Sequence, residues 1–345
     1  MKQCFVSSLQ DGQSITTHFL VCVKEIRSTR EGKTYLRLEL GDSTGRVEAR
    51  MWTGFDAMAA TFERDDFVKV QARVENYRNK LQLAIDKIRR AEENEVDPAD
   101  FFPHTRENVE EMYAKLLEIV ASVGNPWLRQ LLGSVVQDPE IVPRLKRAPA
   151  AKVMHHAFYG GLLEHVLSLC SLCRVVLGHY PEANADLLLS GAVLHDIGKL
   201  KELSYDRSIG YTDEGQLLGH ILIEYEQLTK KIDAIEGFPP ELKTLVLHML
   251  ISHHGQYEFG SPKLPMFREA LLLHYLDDLD SKMAAIRSAL DSDEGEGNWT
   301  GFNGALARRI LRTDKFLGIP PAAIPEAPTA TEPVASSANS EDGKK

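Results

Sequence analysis

From residue 165 onward the chain carries seven side chains of the kinds that hold divalent metals. They are His165 in Gly161-Leu162-Leu163-Glu164-His165-Val166, the doublet His195-Asp196 closing Ser190-Gly191-Ala192-Val193-Leu194, His220, the pair His253-His254, and Asp277 in Tyr275-Leu276-Asp277-Asp278-Leu279-Asp280. Imidazole and carboxylate ligate hard and borderline divalent ions. These residues lie on apolar, helix-like segments roughly two to three dozen residues apart, the spacing expected when successive helices each send a ligand to one centre. Singly, each has a plainer role: His165 as a satisfied helix-face histidine, His195-Asp196 as a cap or buried pair, Asp277 as a solvated acid. The run Ser190–Leu194 is too small and apolar for a surface, however, and a buried carboxylate beside a buried imidazole is costly unless paired or metal-bound. The chemistry expected is metal-assisted hydrolysis at two adjacent ions, with Asp196 bridging them. Lys199, one turn past Asp196, is placed to contact a phosphate oxygen, so the expected catalytic residues are His195, Asp196 and Lys199. Mixed His and carboxylate ligation suits Mn²⁺, with Mg²⁺, Fe, Ni or Co also compatible, as one or two ions.

The elements that must position these residues change character along the chain. Between Ile15 and Ile88 the pattern is alternation: Phe19–Val23, Tyr35–Leu40, Arg46–Trp52, Phe67–Val74 and Leu81–Ile85, separated by Glu31-Gly32-Lys33, Gly41–Gly45 and Tyr77–Lys80, with a helix or loop at Gly54–Glu63. Five short strands of this kind predict a small Greek-key barrel over 1–90. Residues 91–106 break the pattern at Glu92–Asp100 and read as a linker. Helical periodicity begins near Glu107 (Met112, Leu116, Leu117, Ile119, Val120) and predicts an all-α domain over 107–318. The stretch 319–345, rich in Pro, Ala, Ser, Thr and Glu, reads as a disordered tail.

Composition frames the whole. The chain has 345 residues, 43% of them hydrophobic and 26% charged, a net charge of −10 and four cysteines. No apolar run approaches the ~20 residues of a membrane span. The first residues do not read as a signal peptide, and the expected setting is the cytoplasm. Cys170 and Cys173 have the spacing of half a zinc site but lie within an apolar helical pattern, so they are read as small core residues. Ser14–Arg90 holds 15 Lys and Arg against 11 Asp and Glu, a mildly basic segment in an acidic chain, suited to local binding of a polyanion. Tyr35, Trp52, Phe55 and Tyr77 are candidate stacking platforms for bases. Arg37, Arg50, Arg78 and Lys80 are candidate phosphate contacts, and about half of these aromatic and basic residues are expected to point into the barrel instead.

The order His … His-Asp … His … His-His … Asp resembles the HD superfamily of metal-dependent phosphohydrolases. The resemblance implies an all-α helical bundle and picks Asp277, the first acid of an Asp-x-x-Asp pair, as the last ligand. Asp280 is then either a hydrogen-bond partner of a ligand or a surface acid paired with Lys282. Tyr35 through Trp52 is similar to the strand 2–3 hairpin of nucleic-acid-binding OB-folds, and Tyr77–Ile85 to their final hairpin. The fold class is thus multidomain α and β, an OB-type barrel followed by an HD helical bundle. Ala148–Lys152 leading into His155-His156-Ala157-Phe158-Tyr159, Ser252-His253-His254-Gly255 and Gly260-Ser261-Pro262 further resemble the bacterial YhaM-type 3′-to-5′ exoribonucleases. That family implies hydrolysis of single-stranded RNA, and possible partners include single-stranded DNA and a homo-oligomer; no membrane partner is expected. His155 and His156 are expected in the substrate pocket or at a helix start. The other functions open are a phosphohydrolase of small nucleotides and a non-catalytic nucleic-acid-binding protein.

Overall fold

The computed structural model describes residues 2, 4–29, 31–78, 80–97, 100–102, 104–151, 158–205, 209–293 and 295–319. Strands β1 (Ser14–Ser28), β2 (Thr34–Asp42), β3 (Gly45–Met51), β4 (Phe67–Tyr77) and β5 (Lys80–Arg90) close into a barrel in the order β1-β2-β3-β5-β4. The long β1 serves two neighbours, pairing through Ser14–Leu20 with β4 and through Leu20–Ser28 with β2, across a register shift at Val21/Val23. Parallel pairing of β3 with β5 joins the two halves. Alternation sorts the faces: Leu36, Leu38 and Leu40 are buried while Arg37 and Glu39 between them remain half-buried. The sequence therefore fills the barrel from one side of each strand and leaves the other side for solvent or ligand. The short helix α1 (Phe55–Ala59) follows β3. Phe55, expected as a stacking platform, is buried in the barrel core with Phe19 and Phe62 and is corrected to a packing residue.

The helical region comprises α2 (Val109–Ser122), α3 (Pro126–Val136), α4 (Val142–Leu145), α5 (Gly161–His179), α6 (Ala185–Leu194), α7 (Lys199–Glu202), α8 (Asp213–Asp233), α9 (Pro240–Ser252) and α10 (Arg268–Ser292). A two-residue ribbon, β6 (Leu203–Ser204) with β7 (Gly210–Tyr211), links α7 to α8. Asn108, Asn125, Asn184 and Thr212 cap α2, α3, α6 and α8 by accepting backbone N–H groups of the first turn, which fixes where these helices start. Residues Met1–Ala285 form one compact unit. Within it, Phe67 of β4 meets Phe101 at 4.6 Å between ring centroids, and Phe102 meets Tyr159 at 5.2 Å. Within the stretch read as a linker, Phe101 and Phe102 are therefore both buried packing residues.

Helix α5, at 19 residues, is long and apolar enough by length and composition to cross a membrane, which corrects the expectation that no segment comes close. Leu162, Leu163, Val166, Leu169, Cys170 and Cys173 are buried in the protein core. Burial pushes the Cys170 thiol up to about 12, consistent with a packing role.

The second unit runs from Ile286. Helical periodicity was expected to continue to Leu317, but α10 ends at Ser292. The chain then turns around Asp293, which accepts the N–H groups of Gly295 and Gly301 and pairs with Arg312 at 2.7 Å. Isolated bridges join Trp299 to Leu311 and Asn303 to Arg308 before α11 (Thr313–Leu317). Expected tail residues from 320 on lie outside the described residues.

Candidate metal centre and nucleic-acid face

Two helices end in the residues that matter most. Every residue of α6 from Leu187 to Leu194 is buried, so His195, at its C-cap, sits in the interior. Helix α9 ends in the same way at His253. The last carbonyls of a helix lack intrahelical partners, and each histidine supplies one. His195 Nδ1 lies 3.0 Å from the Ala192 carbonyl oxygen, and His253 Nδ1 lies 2.7 Å from that of Leu250. A carbonyl only accepts, so Nδ1 carries the hydrogen and Nε2 turns its lone pair toward the centre.

The other three imidazoles are held by the same rule. His165 Nδ1 donates to Asp280 Oδ2 at 2.8 Å, His220 Nδ1 to Glu202 Oε1 at 3.2 Å, and His254 Nδ1 to the Phe259 carbonyl at 2.8 Å. Partners of this kind orient metal-binding histidines and raise their basicity. Asp280 also accepts from Ser168, whereas Lys282 pairs with Asp278; of the two roles expected for Asp280, support of His165 is the one found. Glu202 also accepts the His220 backbone N–H at 3.0 Å. That geometry needs a break in α8 at Gly219, where φ 72° and ψ 157° are essentially restricted to glycine.

Five Nε2 atoms and three carboxylate oxygens converge. His165 Nε2 is 3.2 Å from His195 Nε2 and 3.2 Å from Asp277 Oδ1, and His195 Nε2 is 3.3 Å from Asp196 Oδ2. On the other side, Asp196 Oδ1 is 3.6 Å from His220 Nε2 and 3.9 Å from His253 Nε2. His220, His253 and His254 bring ligand atoms within 4.8 Å of one another, as do His165, His195 and Asp277. Asp196 thus presents one oxygen to each group, and Lys199 Nζ binds its Oδ2 at 2.7 Å. The donor set fits divalent metal. Ligands at about 2.1 Å and roughly perpendicular to each other stand about 3 Å apart, close to these separations. Among the described residues, Asp196 Oδ1, His220 Nε2 and His253 Nε2 are buried without hydrogen-bond partners, a costly state that a cation relieves.

The electrostatics divide the centre. Against the burial that pushes both down, Asp277 and Asp280 raise the His165 imidazole, and Asp196 raises that of His195. Burial would raise Asp196 and Asp277, but Lys199 and His195 hold the first well below the usual carboxylate range, and His165 and His195 hold the second there. Around His165, His195 and Asp277 the site therefore demands positive charge. Burial, reinforced by neighbouring imidazoles, keeps His253 well below its ordinary value and lowers His254.

Two partners escaped the sequence reading besides the alternatives left for Asp280. Glu202 follows Lys199 by three residues. Glu224, four residues after His220 on α8, is fully buried near His253 and the His195-Asp196 turn. The i, i+4 spacing of His220 and Glu224 was the available signal. His155 and His156 lie outside the described residues.

On the barrel, Tyr35 and Trp52 stack with centroids 4.7 Å apart and planes 29° apart. The Arg50 guanidinium lies 5.8 Å from the Tyr35 ring and 5.5 Å from Tyr77, and Arg78 lies 5.3 Å from Tyr77. Trp52 and Tyr77 are roughly half exposed, at 48% and 46%, enough to take a base. Lys80 pairs in register with Tyr77 at the start of β5 and is exposed. Arg37 and Arg50 face each other across β2 and β3, their charges met by Glu48, which binds Arg50 at 2.6 Å and Arg37 at 3.4 Å, and by Glu25 at 3.1 Å from Arg37. These two arginines are therefore prepaired cations.

A five-stranded barrel joined to a helical domain with this ligand order defines an OB-fold module coupled to an HD-type, metal-dependent phosphohydrolase. The OB-fold nucleic acid binding domain family matches residues 21–91, and the HD domain family matches residues 162–282. The chain is 37% identical over 281 residues to the 3′-5′ exoribonuclease YhaM of Geobacillus sp. (strain WCH70), covering 81% of this chain and 86% of that protein. It is 36% and 35% identical to the proteins of the same name from Bacillus velezensis and Bacillus subtilis, each match covering 81% of this chain and 88% of the relative. The chain belongs to the YhaM family of 3′-5′ exoribonucleases.

Proposed function

We propose that this chain is a metal-dependent 3′-to-5′ exoribonuclease that hydrolyses single-stranded RNA to mononucleotides, acting also on single-stranded DNA, with Mn²⁺ at a two-ion centre in the cytoplasm. The observation that carries this reading is the convergence of His165, His195, Asp196, His220, His253, His254 and Asp277 into two ligand groups sharing Asp196. His165, His195, Asp196 and Asp277 would hold one ion, and His220, His253, His254 and Asp196 the other. Bound divalent ions supply Lewis acidity toward the phosphoester and lower the pKa of water.

The protein's own groups do the rest. Asp196 keeps the two ligand groups in register and anchors Lys199, whose remaining N–H donors can meet a non-bridging phosphate oxygen. The Nδ1 contacts hold each imidazole in the tautomer that leaves Nε2 free to ligate. On the barrel, Tyr35, Trp52 and Tyr77 offer stacking surfaces at roughly 1–3 kcal/mol per base, and Arg37, Arg50, Arg78 and Lys80 add salt-sensitive attraction to the backbone.

The test is hydrolysis by purified protein with Mn²⁺ of a 5′-labelled and a 3′-labelled single-stranded RNA, beside nucleoside mono- and triphosphates. Mononucleotide released from the 3′ end is expected. Turnover of free nucleotides alone, or RNA binding with no turnover, would overturn the reading.

A further inference from the structure

Helix α8 turns apolar side chains inward at Ile221, Ile223, Leu228 and Ile232, yet at Glu224 it buries a carboxylate completely. Burying such a group without good partners costs several kcal/mol, and its contacts are thin for a residue kept only for packing. Oε2 accepts the Gly198 N–H at 3.5 Å. Among the described residues, Oε1 finds no hydrogen-bond partner, and it lies 3.9 Å from His253 Nδ1. One side chain therefore hydrogen-bonds the turn that follows His195-Asp196 and packs, without a hydrogen bond, beside the imidazole that follows α9, whose Nδ1 hydrogen goes to Leu250; these are the two helix ends that build the centre.

The backbone is arranged to allow this. A Cβ at Gly198 would lie 2.2 Å from the His220 carbonyl oxygen and 3.1 Å from Glu224 Cβ. Glycine at that position lets α8 press directly on the turn, so His220 and Glu224 approach it together.

We infer that Glu224 is a positioning residue that ties the His195-Asp196 turn to His253 from behind the centre, setting the separation between the shared Asp196 and the second group of metal ligands. It acts through Gly198 and His253. This rests on the two-ion reading above. Supporting groups behind a ligand shell are worth about 10–100-fold in metal affinity.

The experiment compares wild type, Glu224→Ala and Glu224→Gln. Mn²⁺ binding to the metal-depleted proteins is followed by calorimetry, and kcat and KM on RNA are measured as functions of Mn²⁺. RNA binding by the barrel and a urea unfolding curve report folding. Glu224→Ala should weaken the second Mn²⁺ about 10–100-fold and lower kcat at limiting metal, with KM for RNA unchanged. Glu224→Gln, whose carbonyl oxygen still accepts the Gly198 N–H, should recover most of that loss. Folded Glu224→Ala with wild-type Mn²⁺ affinity, or a Gln variant as impaired as Ala, would overturn the role. If wild type takes up only one ion, it is the two-ion reading that fails instead.

Discussion

Asp196→Asn probes the centre most directly, because this residue faces both ligand groups. Its Oδ2 lies 2.7 Å from Lys199 Nζ and 3.3 Å from His195 Nε2, its Oδ1 lies 3.6 Å from His220, and it is 2% exposed. Asparagine preserves the shape and keeps one oxygen for the lysine, but it removes the charge. Breaking a buried ion pair from one side costs about 3–5 kcal/mol. The retained oxygen places the substitution at the lower end, about 3 kcal/mol, in the metal-free protein. At roughly 2–4 °C per kcal/mol for a domain of this size, Tm should fall by about 6–12 °C. Loss of one preorganised electrostatic group typically lowers turnover about 10²–10³-fold, and at least that is expected when the group serves both half-sites. The assay is single-turnover cleavage of a 5′-labelled RNA at saturating Mn²⁺, with binding to the barrel measured in parallel and expected to be unchanged. An Asp196→Asn protein that turns over at the wild-type rate under those conditions refutes the centre as drawn.

Three further outcomes are expected. His253→Ala and His254→Ala should raise the Mn²⁺ concentration needed for activity far more than they change RNA affinity; a wild-type metal analysis giving a single ion would reassign both residues to the substrate pocket. Trp52→Ala with Tyr77→Ala should weaken binding of long single strands by about 2–6 kcal/mol for two lost stacks while hydrolysis of a dinucleotide changes little, and equal losses on both substrates would count against the barrel as the grip. In the second unit, hydrogen bonds from Gly301, then the contact with Arg312, hold the Asp293 carboxyl down to about 2. A depressed acid contributes stability above its unfolded pKa, near 3.8, and loses it as pH falls toward about 2. Asp293→Asn should therefore speed amide exchange at Gly295 and Gly301 at neutral pH, a difference that vanishes near pH 2; exchange independent of the substitution at pH 7 would show that Asp293 does not organise the turn.

What the sequence made legible follows from how narrow the chemistry of each part is. Few residue types bind divalent ions, so the seven converging side chains stand out even before folding, and the apolar run before His195 places the doublet indoors. Leu36, Leu38 and Leu40 alternating with Arg37 and Glu39 are equally explicit about a half-buried strand. The supporting layer is harder to read, because Glu202, Glu224 and Asp280 look like ordinary helix acids until the tertiary contacts are formed. Asp280 illustrates the point, since spacing allowed a surface pairing with Lys282 as readily as support of His165. Phe55 misled because an aromatic residue after a strand can face a ligand or cap a barrel, and only closure of the barrel decides. Beyond Ser292, apolar spacing continued to resemble helix, while Gly295, Gly297, Gly301 and the Asp293–Arg312 contact favoured a turn.

Helix α5 joins two liabilities. One face of it, from Leu162 to Cys173, is apolar and packed into the core, and the same packing holds His165 against Asp280. Any partial opening that frees this helix would draw His165 out of the proposed centre and expose an apolar surface in one event, and species of that kind self-associate. Chelation and heating should thus converge on the same failure, irreversible clumping, so that occupancy by the ion governs shelf life as well as turnover.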